Sequence, residues 1–209
     1  MSIRDIAEPV SLNDGTVMPG YGFGCYAAHG EEIINAIRWA VRDGYRYIDS
    51  AAMYEKLLRR REEGFVRRVG VSNFQIEHLE EIRSAFGRFP VLNQIELHPL
   101  YQERDLCAYC RENGIRLVAW GPLFRGKLMQ HPAIVEIAAA HGKTPGQIIL
   151  RWHIQKGHIA IPKSSNESRI HENGGVFSFI LTPDDMDRID ALDCGEHIGD
   201  DPYTFTGIN

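Results

Sequence analysis

A repeated alternation of short apolar runs with amphipathic stretches constrains this chain more than any other feature. The apolar runs have the length of strands, and the stretches between them have the spacing of helices that bury one face. Most runs are apolar throughout, which suits parallel strands that are covered on both faces. The alternation therefore predicts an α/β fold whose parallel strands are joined by right-handed connections.

Six strand–helix units can be counted along the chain. The predicted strands are 21–26, 45–51, 66–72, 91–97, 116–122 and 158–164. The helical stretches after them are 31–44, 55–64, 75–87, 102–114, 131–142, 144–157 and 167–177. A closing helix is predicted to begin with Thr182 as its N-cap and Pro183 at its first position. Because no linker-like stretch divides the chain, we expect a single domain, 1–209.

The segment 10–20 differs from these units. Its sequence, VSLNDGTVMPG, places two short strands around an Asn13-Asp14-Gly15 turn and so predicts a β-hairpin. A hairpin ahead of the first strand could close the bottom of a barrel. Gly44, at the end of the first helical stretch, is predicted to stop that helix as its C′ residue.

The composition is that of an ordinary globular protein, with 44% hydrophobic residues and a net charge of −5 over 209 residues. No apolar run approaches the roughly 20 residues that cross a bilayer, and the chain does not start with a secretory signal. The chain lacks an extended basic cluster, which argues against nucleic acid as a partner. We therefore expect a cytoplasmic protein that binds neither membrane nor nucleic acid.

Polar residues collect directly after the predicted strands, where parallel α/β folds place their active sites. Asp49 and Tyr54 follow the second strand, and Ser72 and Asn73 follow the third. The later strands end in or near the following residues: Asn93, Gln94, Glu96, His98, Trp120, Lys163, Ser164, Ser165 and Asn166. This arrangement predicts a small-molecule site at the carboxyl edge of the sheet.

Several of these residues lie in motifs that resemble those of the aldo-keto reductases. The motifs are GYRYIDSAAMY (44–54), GVSNF (70–74), NQIELHP (93–99), AWGPL (119–123) and IPKSSNESRIHEN (161–173), in the family's order. The resemblance covers nearly the whole chain and is closest to the prokaryotic 2,5-diketogluconate and methylglyoxal reductase-like members. It implies a (β/α)8 barrel of the TIM type that uses NADPH to reduce aldehydes and ketones, with a small carbonyl compound as substrate.

One departure from the family pattern concerns the stretch after Tyr54. In the family, two more strands follow that motif, one ending in a catalytic lysine and the other in a catalytic histidine. Here the chain runs within a dozen residues toward GVSNF. Since such a barrel takes about 250 residues, roughly 60 to 80 residues are missing near 55–58. We therefore expect a TIM-type barrel shortened to about six βα units, with the N-terminal hairpin retained.

The shortening has a consequence for the sheet. Strands 45–51 and 66–72 should either leave the barrel open or pair with each other, because six strands alter the tilt and shear of a closed ring. Open parallel edges favour association, so a homodimer is expected.

Asp49 and Tyr54 match the two surviving members of the family's catalytic tetrad. The resemblance implies that the tyrosine hydroxyl protonates the substrate oxygen, helped by the lysine that is missing here. An unassisted tyrosine has a pKa of about 10, far from working pH, so it is a slow general acid. Lys56 is two positions from Tyr54 and would not face it on a helix, so we do not expect it to replace the lost lysine.

The resemblance also implies how the nicotinamide end of NADPH is held. Ser72, Asn73 and Gln94 match the residues that bind the carboxamide, whose donors and acceptors suit amide and hydroxyl groups. Trp120 matches the aromatic residue on which the nicotinamide ring stacks, and Leu123 belongs to the same cofactor-binding set.

The other end of NADPH is matched by residues near the last predicted strand. The residues that bind the 2′-phosphate in the family correspond to Lys163, Ser164, Asn166 and Arg169. Cations and hydroxyls near a helix N-terminus suit a phosphate. Glu172 and Asn173 match the adenine contacts. Gly121 replaces a serine that is frequent in the family, which is expected to weaken the contact with the pyrophosphate.

Two further groups are interpreted as structural. Cys107 and Cys110 form a C-x-x-C within a helical pattern, but without a second pair they are read as two helical thiols and not as a metal site. Glu96 and His98 are assigned to the scaffold, since no residue at metal-ligand spacing joins them.

Three interpretations remain open at this stage. The first is an NADPH-dependent carbonyl reductase that is impaired by its shortening. The second is a non-catalytic derivative that binds NADPH or persists as a folded scaffold. The third is a natural protein whose complete chain carries the missing stretch.

Overall fold

A computed structural model of the chain describes residues 4–24, 30–49 and 70–199. Its strands are β1 (Pro9–Ser11), β2 (Val17–Pro19), β3 (Phe23–Gly24), β4 (Ile48–Asp49), β5 (Val71–Ser72), β6 (Leu92–Glu96), β7 (Arg116–Trp120) and β8 (Ile159–Ala160). Each of β3 to β8 lies inside one of the six predicted apolar runs. The strand predictions are therefore confirmed in position, although the hydrogen-bonded strands are shorter than the runs.

The six parallel strands form one continuous series. β3 pairs with β4, and β5, β6, β7 and β8 pair in that order, all in parallel. The two groups join where the Gly22 amide donates to the Ala160 carbonyl (3.1 Å) and the Gly24 amide donates to the Pro162 carbonyl (3.2 Å). The resulting order, β4-β3-β8-β7-β6-β5, is that of neighbouring strands in a shortened TIM-type barrel.

β4 and β5 stand at the two ends of this series. No ladder joins these two strands in the part of the chain that the structure describes. The sequence allowed either an open barrel or a direct pairing of these two strands. The described residues show no such pairing. The predicted helix 55–64 and most of the predicted strand 66–72 lie outside the described residues.

The helices are α1 (Gly30–Arg42), α2 (Ile76–Phe86), α3 (Arg104–Glu112), α4 (Pro132–His141), α5 (Pro145–Lys156), α6 (Glu167–Gly174) and α7 (Pro183–Asp190). Short 3-10 stretches occur at Phe124–Gln130 and Gly175–Ser178. Within the ranges described, none of these helices has the length and apolar character to traverse a bilayer.

The predicted helix ends are confirmed by their hydrogen bonds. The Thr182 hydroxyl accepts from the Asp185 amide (3.1 Å), and the Asp185 carboxylate accepts from the Thr182 amide (2.9 Å), which makes a capping box ahead of Pro183. Gly44 has φ +97°, and the next amide, that of Tyr45, donates back to the Ala40 carbonyl (3.0 Å). This is the bond pattern of a glycine at C′.

The N-terminal hairpin closes the amino end of the sheet, as predicted. β1 and β2 pair in antiparallel fashion on either side of the turn. The Asn13 side chain donates to the Pro90 carbonyl (3.0 Å), just before β6. The Arg116 guanidinium, at the start of β7, donates to the Ser11 carbonyl (2.6 Å). The hairpin is thereby attached to the edge opposite the one where polar residues gather.

Cys107 and Cys110 lie buried on α3, which confirms the prediction of two helical thiols. Burial raises the pKa of the Cys107 thiol to about 12 and that of Cys110 to about 11. Since the thiolate is the reactive form, these two residues are inert and serve packing.

His153 on α5 and His158 before β8 form a buried pair. Their Nδ1 atoms are 3.4 Å apart, and His153 Nε2 lies 3.4 Å from the Pro122 carbonyl oxygen. Burial, reinforced for His153 by its neighbour His158, lowers the pKa of both imidazoles, that of His158 to about 3. Both rings are therefore neutral in the folded protein at neutral pH, and one Nδ1–H donates to the other Nδ1.

This pair predicts that mild acid destabilises the fold. Below its ordinary pKa of 6.5 an unfolded imidazole binds a proton, whereas His158 in the folded chain stays neutral down to about pH 3. Between these two pH values, unfolding takes up protons. The free energy of unfolding therefore decreases as the pH is lowered. From pH 7.5 to 5.5 we expect a loss of about 1.4 kcal/mol for each of the two histidines, measured by urea denaturation.

The matched variants are His158→Gln and His171→Gln. His158→Gln should reduce the pH dependence of the free energy of unfolding. His171→Gln removes a histidine whose side chain is 82% exposed, so it should leave this pH dependence nearly unchanged. A free energy of unfolding that is flat between these two pH values would contradict the prediction.

Candidate functional site

The carboxyl ends of β5, β6 and β7 bring four residues predicted to bind the cofactor into one cluster. The Ser72 hydroxyl and the Asn73 amide both donate to the Gln94 carbonyl, at 3.0 and 2.8 Å. The Trp120 indole Nε1–H donates to Asn73 Oδ1 at 2.8 Å. We call these four residues the carboxyl-edge cluster.

The turn that contains Asn73 is held by Asn93, which the sequence placed among the polar residues at the strand ends without a role of its own. Asn73 has φ +58°, in the left-handed region that asparagine tolerates better than most residues. Next to it, the buried Asn93 side chain accepts from the Phe74 amide (3.3 Å) and donates to the Phe74 carbonyl (2.7 Å). Asn93 therefore holds the turn after β5 in place. Its position in a predicted buried strand indicated a hydrogen-bonded side chain, but not its partner Phe74.

The hydrogen bonds define which polar atoms the cluster presents. An indole N–H can only donate, so the Asn73 oxygen faces Trp120 and Nδ2 is left to donate elsewhere. The Ser72 hydroxyl hydrogen is directed to the Gln94 carbonyl, which leaves its oxygen as an acceptor. Ser72 and Asn73 thus present one acceptor and one donor side by side.

The loop after β7 carries Gly121 and Leu123. Gly121 has φ +62°, a conformation that favours glycine whatever the ligand, and a methyl group there would lie 3.4 Å from Ile198 Cδ1. This gives a backbone reason for the glycine that replaces the family's serine. Leu123 is partly buried and packs against two core clusters, so it ties this loop to the helices outside the sheet.

Lys163, Ser164, Asn166 and Arg169 surround the start of α6. The Asn166 side chain caps the helix by accepting from the Arg169 amide (3.0 Å). The Ser164 hydroxyl accepts from the Asn166 amide (3.1 Å), and Lys163 Nζ donates to the Ser165 hydroxyl (3.1 Å). Both cationic side chains are exposed. The structure therefore brings the predicted phosphate-binding residues together at a helix N-terminus.

The two residues predicted to contact adenine lie one turn further along α6. Glu172 Oε1 accepts from the Thr144 hydroxyl (2.7 Å), at the N-cap of α5. Asn173 is 6% exposed, and its carbonyl accepts from the Tyr21 hydroxyl (3.0 Å). Both residues thus also connect α6 to neighbouring elements.

The predicted catalytic residues are described only in part. Asp49 ends β4 and is the ladder partner of Gly24 on β3, so its backbone lies at the carboxyl edge with the other residues. Tyr54 lies outside the described residues, as does Lys56.

Glu96 and His98, assigned to the scaffold, are buried at the end of β6 and bonded to each other. His98 Nε2 donates to Glu96 Oε1 at 2.9 Å. The Ile198 and Gly199 amides donate to the same carboxylate, at 2.7 and 2.8 Å. Burial raises the pKa of Glu96, but these three hydrogen bonds outweigh it, and the pKa lies below its ordinary value. Glu96 is therefore ionised and connected to the C-terminal part of the chain. A charged residue at the end of a predicted buried strand is visible in the sequence, but nothing in the sequence indicates its partners at Ile198 and Gly199.

Residues of the types that bind metal ions do not gather in the described ranges. Within residues 4–24, 30–49 and 70–199, no group of three or more His, Cys, Asp or Glu side chains is arranged to hold a metal ion.

Comparison with known proteins identifies the family. The model of the aldo/keto reductase family matches residues 55–193. The uncharacterized oxidoreductase YtbE of Bacillus subtilis is 34% identical, over 93% of this chain and 96% of its own. The methylglyoxal reductase DkgA of Escherichia coli is 32% identical, over 95% and 98%. The crystal structure of a Gox0644 point mutant in complex with NADPH superposes with a TM-score of 0.86 at 31% identity, over 96% of this chain and 99% of that one.

The same alignments confirm that an internal stretch is missing. Those with YtbE and DkgA each extend over 269 residues, which exceeds the 209 residues of this chain by 60. Because both relatives are matched over nearly their full length, the missing positions lie inside the chain. Their predicted place near 55–58 lies outside the described residues.

With its parallel α/β barrel and its match to the family model, the chain belongs to the aldo/keto reductases, a family of oxidoreductases, and it is a shortened member.

Proposed function

We propose that this chain binds NADPH along the carboxyl edge of its sheet and that its chemistry is the reduction of small aldehydes and ketones, strongly slowed in the 209-residue form. The observation that carries the proposal is the carboxyl-edge cluster, in which Ser72, Asn73, Gln94 and Trp120 are held by hydrogen bonds of 2.8 to 3.0 Å. In this proposal residues 1–209 act as a single domain.

The polarity of this cluster fits a nicotinamide carboxamide. Such a group carries an NH2 that donates and a carbonyl that accepts. The Ser72 oxygen would receive a hydrogen bond from the NH2, and Asn73 Nδ2 would donate to the carbonyl. Gln94 adds an amide from the neighbouring strand, and the Trp120 ring offers an aromatic surface for stacking. Because Asn73 is already bonded to Trp120, and Ser72 to the Gln94 backbone carbonyl, these side chains need little reorganisation on binding.

The residues around the start of α6 suit the 2′-phosphate of NADPH. Arg169 is exposed and forms no ion pair within the described part of the chain, so its guanidinium is available to an anion. Lys163 lies across the same helix start and adds a second cation. The N-terminus of α6 adds the positive end of a helix dipole. Ser164 and Asn166 support this site through the turn that caps the helix, and Glu172 and Asn173 would meet the adenine.

Bound NADPH supplies the hydride for carbonyl reduction. The chain itself must hold the carbonyl compound and deliver a proton to its oxygen. Tyr54 is proposed as the donor, and Asp49, which ends β4, as the other surviving member of the catalytic set. Neither the lysine that would favour ionisation of the tyrosine nor the histidine that would orient the carbonyl matches a residue in this sequence, so proton transfer is expected to be slow.

The substrate class follows from the relatives. DkgA is a methylglyoxal reductase, and another Bacillus subtilis relative, 32% identical, is a glyoxal reductase. Small reactive aldehydes are therefore the first compounds to test with this chain.

The main alternative is a protein that binds NADPH without reducing anything. It is favoured by the same observation that weakens catalysis, the loss of the stretch that carries the lysine and histidine. A complete natural chain that carries the stretch would instead be an ordinary reductase. The intact mass of the protein from its natural source distinguishes a shortened chain from a complete one.

NADPH should bind more tightly than NADH. A charge-assisted contact with the 2′-phosphate is worth roughly 1.5–3 kcal/mol, so we expect a preference of more than tenfold in Kd, measured by isothermal titration calorimetry. Arg169→Ala should remove most of this preference and leave the affinity for NADH nearly unchanged.

The matched control is Arg88→Ala. Arg88 is also an exposed arginine, but it precedes β6, at the opposite edge of the sheet. The Arg88→Ala variant should keep the preference for NADPH over NADH. Equal Kd values for the two cofactors in the unmodified chain would mean that the phosphate site is not formed.

The 209-residue chain should reduce aldehydes slowly or not at all. Electrostatic and general-acid contributions are each commonly worth 10²–10⁴ in rate and are not additive, so we expect a loss of at least several hundredfold. The measurement is steady-state oxidation of NADPH with methylglyoxal. Inserting the missing stretch from DkgA should restore turnover, and Tyr54→Phe in that restored chain should abolish it.

Two results would contradict this prediction. A kcat near the ordinary enzyme median of about 10 s⁻¹ in the short chain would mean that another residue replaces the lost lysine. Full activity of Tyr54→Phe in the restored chain would mean that the proton comes from elsewhere.

The homodimer expected from the sheet edges stays a prediction. It rests on the absence of a ladder between β4 and β5 in the described residues. Static light scattering tests it directly: a dimer mass at micromolar concentration is expected, and a monodisperse monomer would contradict the prediction.

A further inference from the structure

The carboxylate of Glu96 connects two parts of the chain that are far apart in sequence. Glu96 is 5% exposed and is the last residue of β6. Its Oε1 accepts from His98 Nε2 (2.9 Å) and from the Ile198 amide (2.7 Å), and its Oε2 accepts from the Gly199 amide (2.8 Å). Two consecutive backbone amides thus bind one carboxylate through both of its oxygens. Charge-assisted bonds of this kind are among the stronger ones in proteins.

The segment held in this way, residues 197–199, lies directly against Trp120. A methyl group on Gly199 would be 2.5 Å from Trp120 Cη2, 3.0 Å from Cζ2 and 3.0 Å from Glu96 Oε2. No side chain fits in that space, so the backbone of Gly199 itself touches the benzo end of the indole. The other end of the indole is held by Asn73 through Nε1. The ring is therefore held at both ends.

Further contacts fix the course of this segment. The His197 ring lies 5.4 Å from the Tyr101 ring, and His197 Nδ1 is 2.9 Å from the Gly199 carbonyl oxygen. Ile198 packs into the core cluster around α4 and α5. A cavity of about 10 Å³ remains beside Trp120, enough for about one water molecule.

We propose that Glu96 is a positioning residue: its carboxylate anchors residues 197–199 against Trp120 and thereby sets the orientation of the indole on which the nicotinamide stacks. The role in cofactor binding rests on the proposed function, whereas the anchoring of the segment does not. Glu96 touches neither cofactor nor substrate in this role and acts through Gly199 and Trp120.

The first test uses the unmodified chain. Amide hydrogen exchange, followed by NMR and corrected for intrinsic rates, should be at least tenfold slower at Ile198 and Gly199 than at Glu196, the exposed residue just before the segment. Equal protection at the three amides would overturn the anchor. This measurement does not depend on any variant folding.

The second test replaces the carboxylate by the isosteric amide. Glu96→Gln places an NH2 group where one of the two backbone amides needs an acceptor, so exchange at Ile198 and Gly199 should accelerate at least tenfold. The indole N–H signal of Trp120, assigned with Trp120→Phe, should shift, while those of Trp39 and Trp152 stay in place. Glu196→Gln is the matched control, since it makes the same chemical change just before the segment without touching Trp120. If Glu96→Gln fails to fold, Gly199→Ala should shift the same signal, because its methyl group cannot fit against the ring.

NADPH affinity separates this inference from the proposed function. We expect Glu96→Gln to weaken NADPH binding at least threefold by calorimetry, and Glu196→Gln to leave it unchanged. If exchange accelerates and NADPH affinity does not change, the positioning role is overturned. If NADPH binds neither the unmodified chain nor the variants, the proposed function is wrong. The anchoring of residues 197–199 is then decided by amide hydrogen exchange alone.

Discussion

The close approach of β3 to β8 is the constraint on which the rest of this structure depends. A methyl group on Gly24 would lie 2.8 Å from the Ile161 carbonyl oxygen, and one on Gly22 would lie 2.4 Å from the Tyr47 ring. Only glycine allows the amides at these positions to reach the carbonyls of Ala160 and Pro162. Without that junction, β3 and β4 would be a separate pair of strands, and the two halves of the candidate site would have no fixed relation.

The junction also explains how a shortened barrel keeps a binding edge. The parallel bridge between Gly24 and Lys163 places the residues proposed to bind the phosphate next to the end of β3, whose other neighbour is Asp49 on β4. On the far side of β8, the strand series β7-β6-β5 carries the carboxyl-edge cluster. The predicted place of the missing stretch lies between β4 and β5, so its loss leaves the strands proposed to bind the cofactor contiguous. In the proposed function, cofactor binding therefore does not require the missing stretch, whereas fast catalysis does.

Loss of two strand–helix units would be expected to destabilise a closed barrel more than an open series of strands. Here the core between the sheet and the helices is retained: α5 is buried along most of its length, and the Trp152 indole donates to Asp190 on α7 at 2.7 Å. α3 packs against β7 and α5 packs against β8, so the apolar surface of these strands is buried locally. The described part of the chain can therefore remain folded, although its two end strands have no partner ladder between them.

Local patterns in the sequence predicted the strands, the helix caps at Thr182 and Gly44, and the family, because each depends on residues close together in the chain. The same patterns placed the carboxyl-edge cluster, since parallel strands bring their carboxyl ends to one edge. The role of Asn93 in the turn after β5, and the bonds from Glu96 to Ile198 and Gly199, were not predictable in this way. A carboxylate and its backbone partners about one hundred residues apart leave no periodicity in the sequence. Only the folded chain brings them together, because tertiary packing decides which buried charge finds which amide.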